Sequence, residues 1–433
     1  MFSVSMVNIK SIRKKLYIRH TMSTSVSVTT TRESFYQKLI IGLLSKMPLG
    51  RMTITLPDGS EVAIGNGQGV ACSMTIKNPL FFKRCVLYGD IGFGESYVDG
   101  DWDTDSITNV IKWFLLNVDH APSVSGSKVN SILLNFLKAF NKVYHSKRAN
   151  SITGSRKNIS EHYDLNNEFF ALFLDPTMTY SSAYYKEDNM TLQQAQLAKY
   201  ERLCEQLNLQ PTDHVLEIGS GWGGNAIYMA KNYGCNVTTL TISEEQYKLA
   251  TERIEKENLS HKITVLIKDY RLMEGQFDKI VSIEMLEAVG AEYYKEYFKQ
   301  CSNLLKRDGI FAIQTITCPD SRFESLKNGV DWIQKHVFPG SLIPSVAAIN
   351  QAINSTSDLT LVDLKDIGLH YAHTLNIWYK NFNDNLSEVK KIGFDDYFIR
   401  KWNYYLCYCE AAFAMRNLYV MQLVYTRPNN TAK

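Results

Sequence analysis

The chain has 433 residues, 45% of them hydrophobic, and carries 47 Lys and Arg against 44 Asp and Glu for a formal net charge of +3. That length leaves room for two domains and excludes a single small one, and so small a charge excludes a protein built on diffuse attraction to nucleic acid, for which no motif is present either. The eight cysteines, at 72, 85, 204, 235, 301, 318, 407 and 409, form no C-x-x-C pair, so they read as reduced, mostly buried thiols of an intracellular protein with no metal site.

Residues 1–33 read as a basic, flexible leader. Lys10, Arg13, Lys14, Lys15, Arg19 and Arg32 occur with Ser and Thr and, up to residue 32, without an acid. This composition suits a mitochondrial transit peptide and equally a disordered leader before a second start at Met22. A smaller α+β domain is expected over 34–120. It opens with a helical pattern (Phe35, Leu39, Leu43, Leu44) and continues in the alternating stretch Arg51–Gly59, a strand ending in a turn. The glycine-, acid- and aromatic-rich stretch Gly89–Trp102 reads first as a set of turns pinned by Tyr97 and Trp102, and second as a surface facing the substrate or the other domain. Residues 121–160 form a basic linker with no acid. Within it Val129, Ile132, Leu133, Phe136, Leu137, Phe140 and Val143 make an apolar stripe at helical spacing. Such a helix can lie in a lipid headgroup layer or dock on the neighbouring domain. The longest apolar run, Leu39–Leu44, is far shorter than the roughly 18 residues that cross a bilayer, so any membrane contact is expected to be peripheral.

From 161 to 433 strands and helices alternate, with strands near 214–218, 236–242, 263–267, 278–283 and 309–316, which implies a parallel sheet covered on both faces. The rhythm breaks for about forty residues after Ile316, in an insertion carrying Trp332, Phe338, Pro339 and Pro344. Strands near 359–364 and 418–425 close the domain.

The stretch His214–Tyr228 reads as a buried strand, a glycine turn and the start of a helix, with Gly219, Gly221 and Gly224 spaced as G-x-G-x-x-G. That spacing alone does not choose the ligand; Glu217 does. A pyrophosphate would meet its negative charge, whereas S-adenosylmethionine carries a sulfonium and an ammonium and no phosphate. The second strand lacks the acid that a dinucleotide fold offers a ribose about 20 positions on, and no Gly-Lys-Ser/Thr follows for ATP. Ligands in such sheets sit beyond the carboxyl ends of the strands, so Glu217, Asp269, Tyr270, Glu284 and Glu287 are expected to share one crevice.

The chain resembles the cyclopropane-fatty-acyl-phospholipid synthase family of S-adenosylmethionine-dependent methyltransferases, which includes the mycolic acid cyclopropane synthases. The resemblance rests on His162–Phe170, Met178–Tyr184, the Glu217–Gly224 loop, Thr241–Gln246, Asp269–Arg271, Glu287 and Trp332–Pro339. It implies a Rossmann-like class I methyltransferase domain with a mostly parallel seven-stranded sheet. Tyr180, Ser181, Gly219, Gly221, Thr241, Gln246 and Tyr270 would line the cofactor site, joined by Glu217, Asp269 and Glu284. The reaction implied is methyl or methylene transfer to the double bond of a phospholipid acyl chain through a carbocation, in a dry aromatic pocket to which Tyr371 belongs. In the family a bicarbonate that takes the proton is held by a Glu, a Tyr, a His and a site beside a Cys. Here Glu287 and Tyr371 match, Ile316 keeps its place, Gln314 replaces the His and Ser182 the Cys, so the pocket is less able to attract bicarbonate, and a cyclopropane and a methyl- or methylene-branched product both stay open. His162, His336, His370 and His373 are further candidate bases. The partners expected are an unsaturated phospholipid surface and no nucleic acid, with a homodimer admitted. Two other readings stay open: a small-amine N-methyltransferase and a non-catalytic lipid- or cofactor-binding module.

Overall fold

The computed structural model describes residues 29–118, 120 and 166–431. Most of the basic leader, the linker stripe and His162 lie outside the described residues.

The N-terminal domain contains α1 (Thr29–Leu44), β1 (Arg51–Thr55), β2 (Glu61–Ile64), β3 (Ala71–Ile76), α2 (Leu80–Val98), β4 (Trp102–Asp103) and α3 (Ile107–Leu116). Its sheet runs β2-β1-β3-β4, with β1 and β3 parallel and the other pairs antiparallel. The second domain begins with α4 (Asn167–Ala171) and α5 (Leu192–Leu207), the latter started by a capping box between Thr191 and Gln194. Five strands with three intervening α-helices follow: β5 (His214–Ile218), α6 (Gly224–Tyr233), β6 (Asn236–Thr241), α7 (Glu244–Lys256), β7 (Ile263–Ile267), β8 (Phe277–Ile283), α8 (Tyr294–Leu304) and β9 (Leu305–Thr317). The insertion after β9 folds as three helices, α9 (Asp320–Asn328), α10 (Trp332–His336) and α11 (Val346–Asn354). The chain ends with β10 (Thr360–Asp366), α12 (Gly368–Asp384), α13 (Leu386–Lys391), α14 (Asp396–Ala414) and β11 (Tyr419–Thr426).

These strands build one seven-stranded sheet in the order β10-β11-β9-β8-β5-β6-β7. β7, β6, β5, β8 and β9 are parallel, and β11 enters antiparallel against β9 and β10. The expected fold is therefore present, and its strands fall within a few residues of their sequence positions. Among the described residues no helix is long and apolar enough to cross a membrane.

One apolar cluster crosses the domain boundary. Met52, Trp102 and Trp113 of the N-terminal domain share it with Phe169, Trp378 and Trp402 of the second. Polar contacts reinforce the join. Arg400 donates to the carbonyls of Tyr97 and Trp102 at 2.8 and 3.0 Å and pairs with Asp103 at 2.9 Å, while Thr108 donates to Glu410 at 2.9 Å.

Of the two readings of Gly89–Trp102, the surface facing the other domain is the one found, and turns are confined to residues 99–101. α2 continues to Val98 through a kink at Gly89 and presents the stretch to the second domain. The reason is close approach: a Cβ at Gly94 would lie 2.5 Å from Trp332 and 2.8 Å from Tyr404, so glycine lets the helix seat against those rings. From the next position Glu95 reaches Lys335 at 2.6 Å and His336 at 3.0 Å on α10.

Candidate active site

A cavity of about 360 Å³ opens beyond the carboxyl ends of β5, β6 and β8, within the range of small-molecule sites. Its two ends differ. One is formed by the glycine loop after β5 with Thr241, Gln246, Asp269 and Tyr270. The other is lined by Tyr371, Leu375, Tyr405, Tyr408 and Phe413 from α12 and α14, and by Ile333 and Phe338 from the insertion.

At the first end Gly219 and Gly221 have φ of 96° and 47°, which leaves backbone rather than side chain facing the cavity. The Thr241 hydroxyl donates to the Gln246 carbonyl at 2.8 Å, so the amide nitrogen is left as a donor. Two of the expected acids are already engaged. Glu217 accepts from Asn225 at 2.8 Å and from Thr239 at 2.5 Å, and burial pushes its carboxyl up to about 7. Asp269 accepts from both Nε and Nη2 of Arg271, at 2.9 and 2.7 Å. Tyr270 lies on the cavity wall with its ring edge-on to Tyr297. Tyr180 stacks on Trp378 with ring centres 5.2 Å apart and shares a 2.8 Å hydrogen bond with the Tyr405 hydroxyl. Ser181 also lines the cavity, and its hydroxyl accepts from Lys199 at 2.7 Å.

The other acids meet where β8 and β9 end. Glu284 has φ of 47°, the left-handed region in which a residue with a Cβ is held only by its surroundings. Its backbone N–H donates to the Gln314 carbonyl at 2.7 Å. Its carboxylate, lining the cavity, accepts from the Ser182 N–H at 2.9 Å and from Gln314 Nε2 at 2.8 Å, with the Tyr371 hydroxyl as a further neighbour. Ser182 and Gln314 are fully buried and reach the cavity only through Glu284. Burial raises the Glu284 carboxyl, opposed by the nearby Lys199 ammonium and by Gln314, the Ser182 N–H and Tyr371. Burial in turn lowers Lys199.

Glu287 is placed differently from the expectation that set it beside Gln314 and Ser182. One of its oxygens accepts from the Ile316 N–H and from the Thr315 hydroxyl, and the other has no hydrogen-bond partner among the described residues. Burial and the neighbouring Glu284 push its carboxyl up to about 8. Of the histidines, His336 bonds Glu95, His370 accepts from the Tyr185 N–H at 3.2 Å and His373 packs edge-on to Tyr185. None of these three lines the cavity.

The sequence reading missed the inner face of α5. Gln196 donates to the Ser181 carbonyl at 2.9 Å, Lys199 to the Ser181 hydroxyl, and Arg202 to Gln422 at 2.8 Å. The only signal was that Gln196, Lys199 and Arg202, spaced by three, fall next to the apolar positions Ala195, Ala198 and Leu203 of an amphipathic helix.

A mostly parallel sheet, a glycine loop not followed by Gly-Lys-Ser/Thr and a cavity whose wall carries the carboxyl groups of Glu217, Asp269, Glu284 and Glu287 suit a cationic donor. The fold is that of a class I S-adenosylmethionine-dependent methyltransferase: the mycolic acid cyclopropane synthase CmaA1 complexed with SAH and CTAB matches it with a TM-score of 0.58 and 30% identity, over 63% of this chain and 98% of that one. The cyclopropane synthase MmaA2 from Mycobacterium tuberculosis matches with a TM-score of 0.58 and 28% identity over the same shares. Residues 150–423 match the model of the mycolic acid cyclopropane synthetase family, and the chain belongs to that family. It is 36% identical to the tuberculostearic acid methyltransferase UfaA1 of Mycobacterium tuberculosis, over 86% of each chain. It is 39% identical to the cyclopropane-fatty-acyl-phospholipid synthase of Escherichia coli, over 85% of this chain and 91% of that one.

Proposed function

We propose that this enzyme transfers a methyl group from S-adenosylmethionine to the double bond of an unsaturated phospholipid acyl chain, and that Glu284 removes the ensuing proton in place of a bound bicarbonate. One observation carries the second part: the Glu284 carboxylate lies among Ser182, Gln314 and Tyr371, the groups from which the family resemblance would build an anion site. The relatives named for methyl and for cyclopropane chemistry support the first part.

The residues at the glycine-loop end would hold the donor, Thr241 and Gln246 by hydrogen bonds and Glu217 by charge. When bound, the donor supplies an electrophilic methyl on a sulfonium; its S–CH3 bond breaks as a new C–C bond forms, leaving a carbocation on the adjoining acyl carbon. Tyr371, Tyr405 and Phe413 line that end and would exclude water there, and a ring that offers its π face to the cation would contribute about 0.5 to 2 kcal/mol. Glu284 then accepts a proton from carbon, and the C–H electron pair quenches the cation. Loss from the added methyl with closure onto the cation gives a ring. A hydride shift followed by loss from that methyl gives a methylene branch, while a saturated branch would require an external hydride. With the ring-forming anion displaced by a fixed side chain, the methylene branch is the product we infer. The lipid partner is an unsaturated phospholipid surface met peripherally.

The test is incubation with S-adenosylmethionine and vesicles of dioleoyl or of dipalmitoyl phosphatidylglycerol, with mass spectrometry locating any added carbon. The reading expects a 14-mass-unit gain as a branch on the dioleoyl lipid alone. Equal cofactor turnover on both lipids, or on a soluble amine, would overturn it.

A further inference from the structure

A line of side chains leads from Glu284 to the protein surface. Gln314 Nε2 donates to Glu284 at 2.8 Å, Gln422 Nε2 donates to Gln314 Oε1 at 2.9 Å, and Arg202 Nε donates to Gln422 Oε1 at 2.8 Å. Arg202 ends the line in an ion pair with Asp363 at 3.0 Å, at the edge of the sheet. The register of the sheet makes this possible. Gln314 of β9 and Gln422 of β11 are directly opposite one another, Asp363 lies on the next strand, β10, and α5 crosses the same face. Both glutamines are fully buried, so neither can satisfy its amide with water, and each hydrogen bond fixes the next.

An amide can point either way; a guanidinium cannot. It has five donors and no acceptor, so Gln422 must turn its oxygen toward Arg202. Its nitrogen then faces Gln314, which must answer with its own oxygen and so turn its nitrogen toward Glu284. The opposite direction would put the Gln314 oxygen against Glu284, an arrangement that holds only when the carboxyl carries a proton. The two directions of the line thus correspond to the two protonation states of the group proposed as base. The Ser182 carbonyl, 3.3 Å from Gln314 Nε2, favours the same direction as Arg202 at one end only.

We propose that Arg202, acting through Gln422, is a positioning residue for proton removal: it sets the direction of the Gln314 amide and so keeps a donor on the Glu284 carboxylate. This rests on the reading of Glu284 as the base. Arg202 touches neither cavity nor reacting atoms. The other groups facing Glu284 are Lys199 from α5, Tyr371 from α12 and Glu287 from its own segment. None of them lies on the line, so substitutions along it leave their charges in place.

The experiment follows lipid product formed on dioleoyl phosphatidylglycerol vesicles across about pH 6 to 9, for the full-length enzyme and its R202M, R202K, Q422E and E284Q variants. Losing a donor to the ionised form raises a carboxyl pKa. R202M is therefore expected to move the acid limb of the profile up by about one pH unit, costing about tenfold at its acid end and under twofold at its alkaline end. R202K, which still donates, restores the wild-type limb. Q422E keeps a partner for Arg202 but can only accept, so it draws the Gln314 nitrogen away from Glu284 and moves the limb at least as far as R202M. Should R202M fold poorly, Q422E decides alone. A uniform fall at every pH, or an unmoved limb in Q422E, overturns the proposal. If E284Q keeps wild-type product and profile, the reading of Glu284 itself fails; if E284Q abolishes product while Q422E leaves the limb in place, only the role of Arg202 fails.

Discussion

The two ends of the cavity use their acids in opposite ways. At the glycine-loop end Glu217 is tied to Thr239 and Asn225, and Asp269 to Arg271, so these carboxyls brace the sheet ends and lend the site only their field. At the aromatic end Glu284 is brought to the cavity wall on a left-handed backbone, with Ser182, Gln314 and Tyr371 turned toward it. The first arrangement suits a ligand that arrives charged. The second suits a charge that arises during reaction, where a group fixed beforehand costs no reorganisation.

The sharpest way to break this contrast is Glu284→Gln, which preserves shape and most hydrogen bonds but cannot take a proton. Product formation should fall by roughly 10² to 10⁴ while cofactor affinity, measured by calorimetry, stays within about threefold. A comparable loss of cofactor binding would assign Glu284 to the donor end after all. Next in size is Gly94→Val. Its side chain must displace Trp332, whose helix carries the cavity-lining Ile333, and overpacking of this kind costs about 1 to 3 kcal/mol. Urea denaturation should register that loss together with lowered lipid turnover. Unaltered turnover would uncouple the N-terminal domain from the aromatic end.

Glu287→Gln tests the protonated neighbour. A carboxyl whose value rises from 4.5 unfolded to about 8 folded contributes stability below pH 4.5 that is lost as pH climbs toward 8. The ligand-free enzyme should therefore melt at lower temperature at pH 8 than at pH 5, and the Gln variant should show a flatter dependence; an equal slope in both would place the burden on Glu217. The smallest effect belongs to Glu95→Gln at the domain join. Burial alone would raise this carboxyl, but His336 and Lys335 hold it at about 2. Its contribution is present above pH 4.5 and fades as pH falls toward 2, so the variant should differ from wild type by only about a degree or two in melting temperature near pH 7 and by less in acid.

Much of this was legible beforehand. The strand positions follow from hydrophobic runs bounded by turn residues, and the glycine loop with Glu217 pointed to the donor end. The place of Glu284 was not legible. Three residues from Glu287 and just past a strand, it read as one more acid around a cationic donor, and only its positive φ turns it onto Gln314. Gly89–Trp102 was half legible for a related reason: a surface facing the other domain was one of its two readings, but its glycines favoured turns, whereas packing against Trp332 and Tyr404 goes with a helix to Val98. Arg202 and Gln422 could not be joined without the register of β9 and β11. In each case the deciding contact is long-range, and local pattern carries at most a faint trace of it.

The most direct test of an internal carboxylate is turnover on dioleoyl phosphatidylglycerol vesicles in buffer stripped of carbon dioxide, with and without added bicarbonate. We predict the same rate and the same branched lipid in both. A rate that collapses on stripping and returns with bicarbonate would contradict the account.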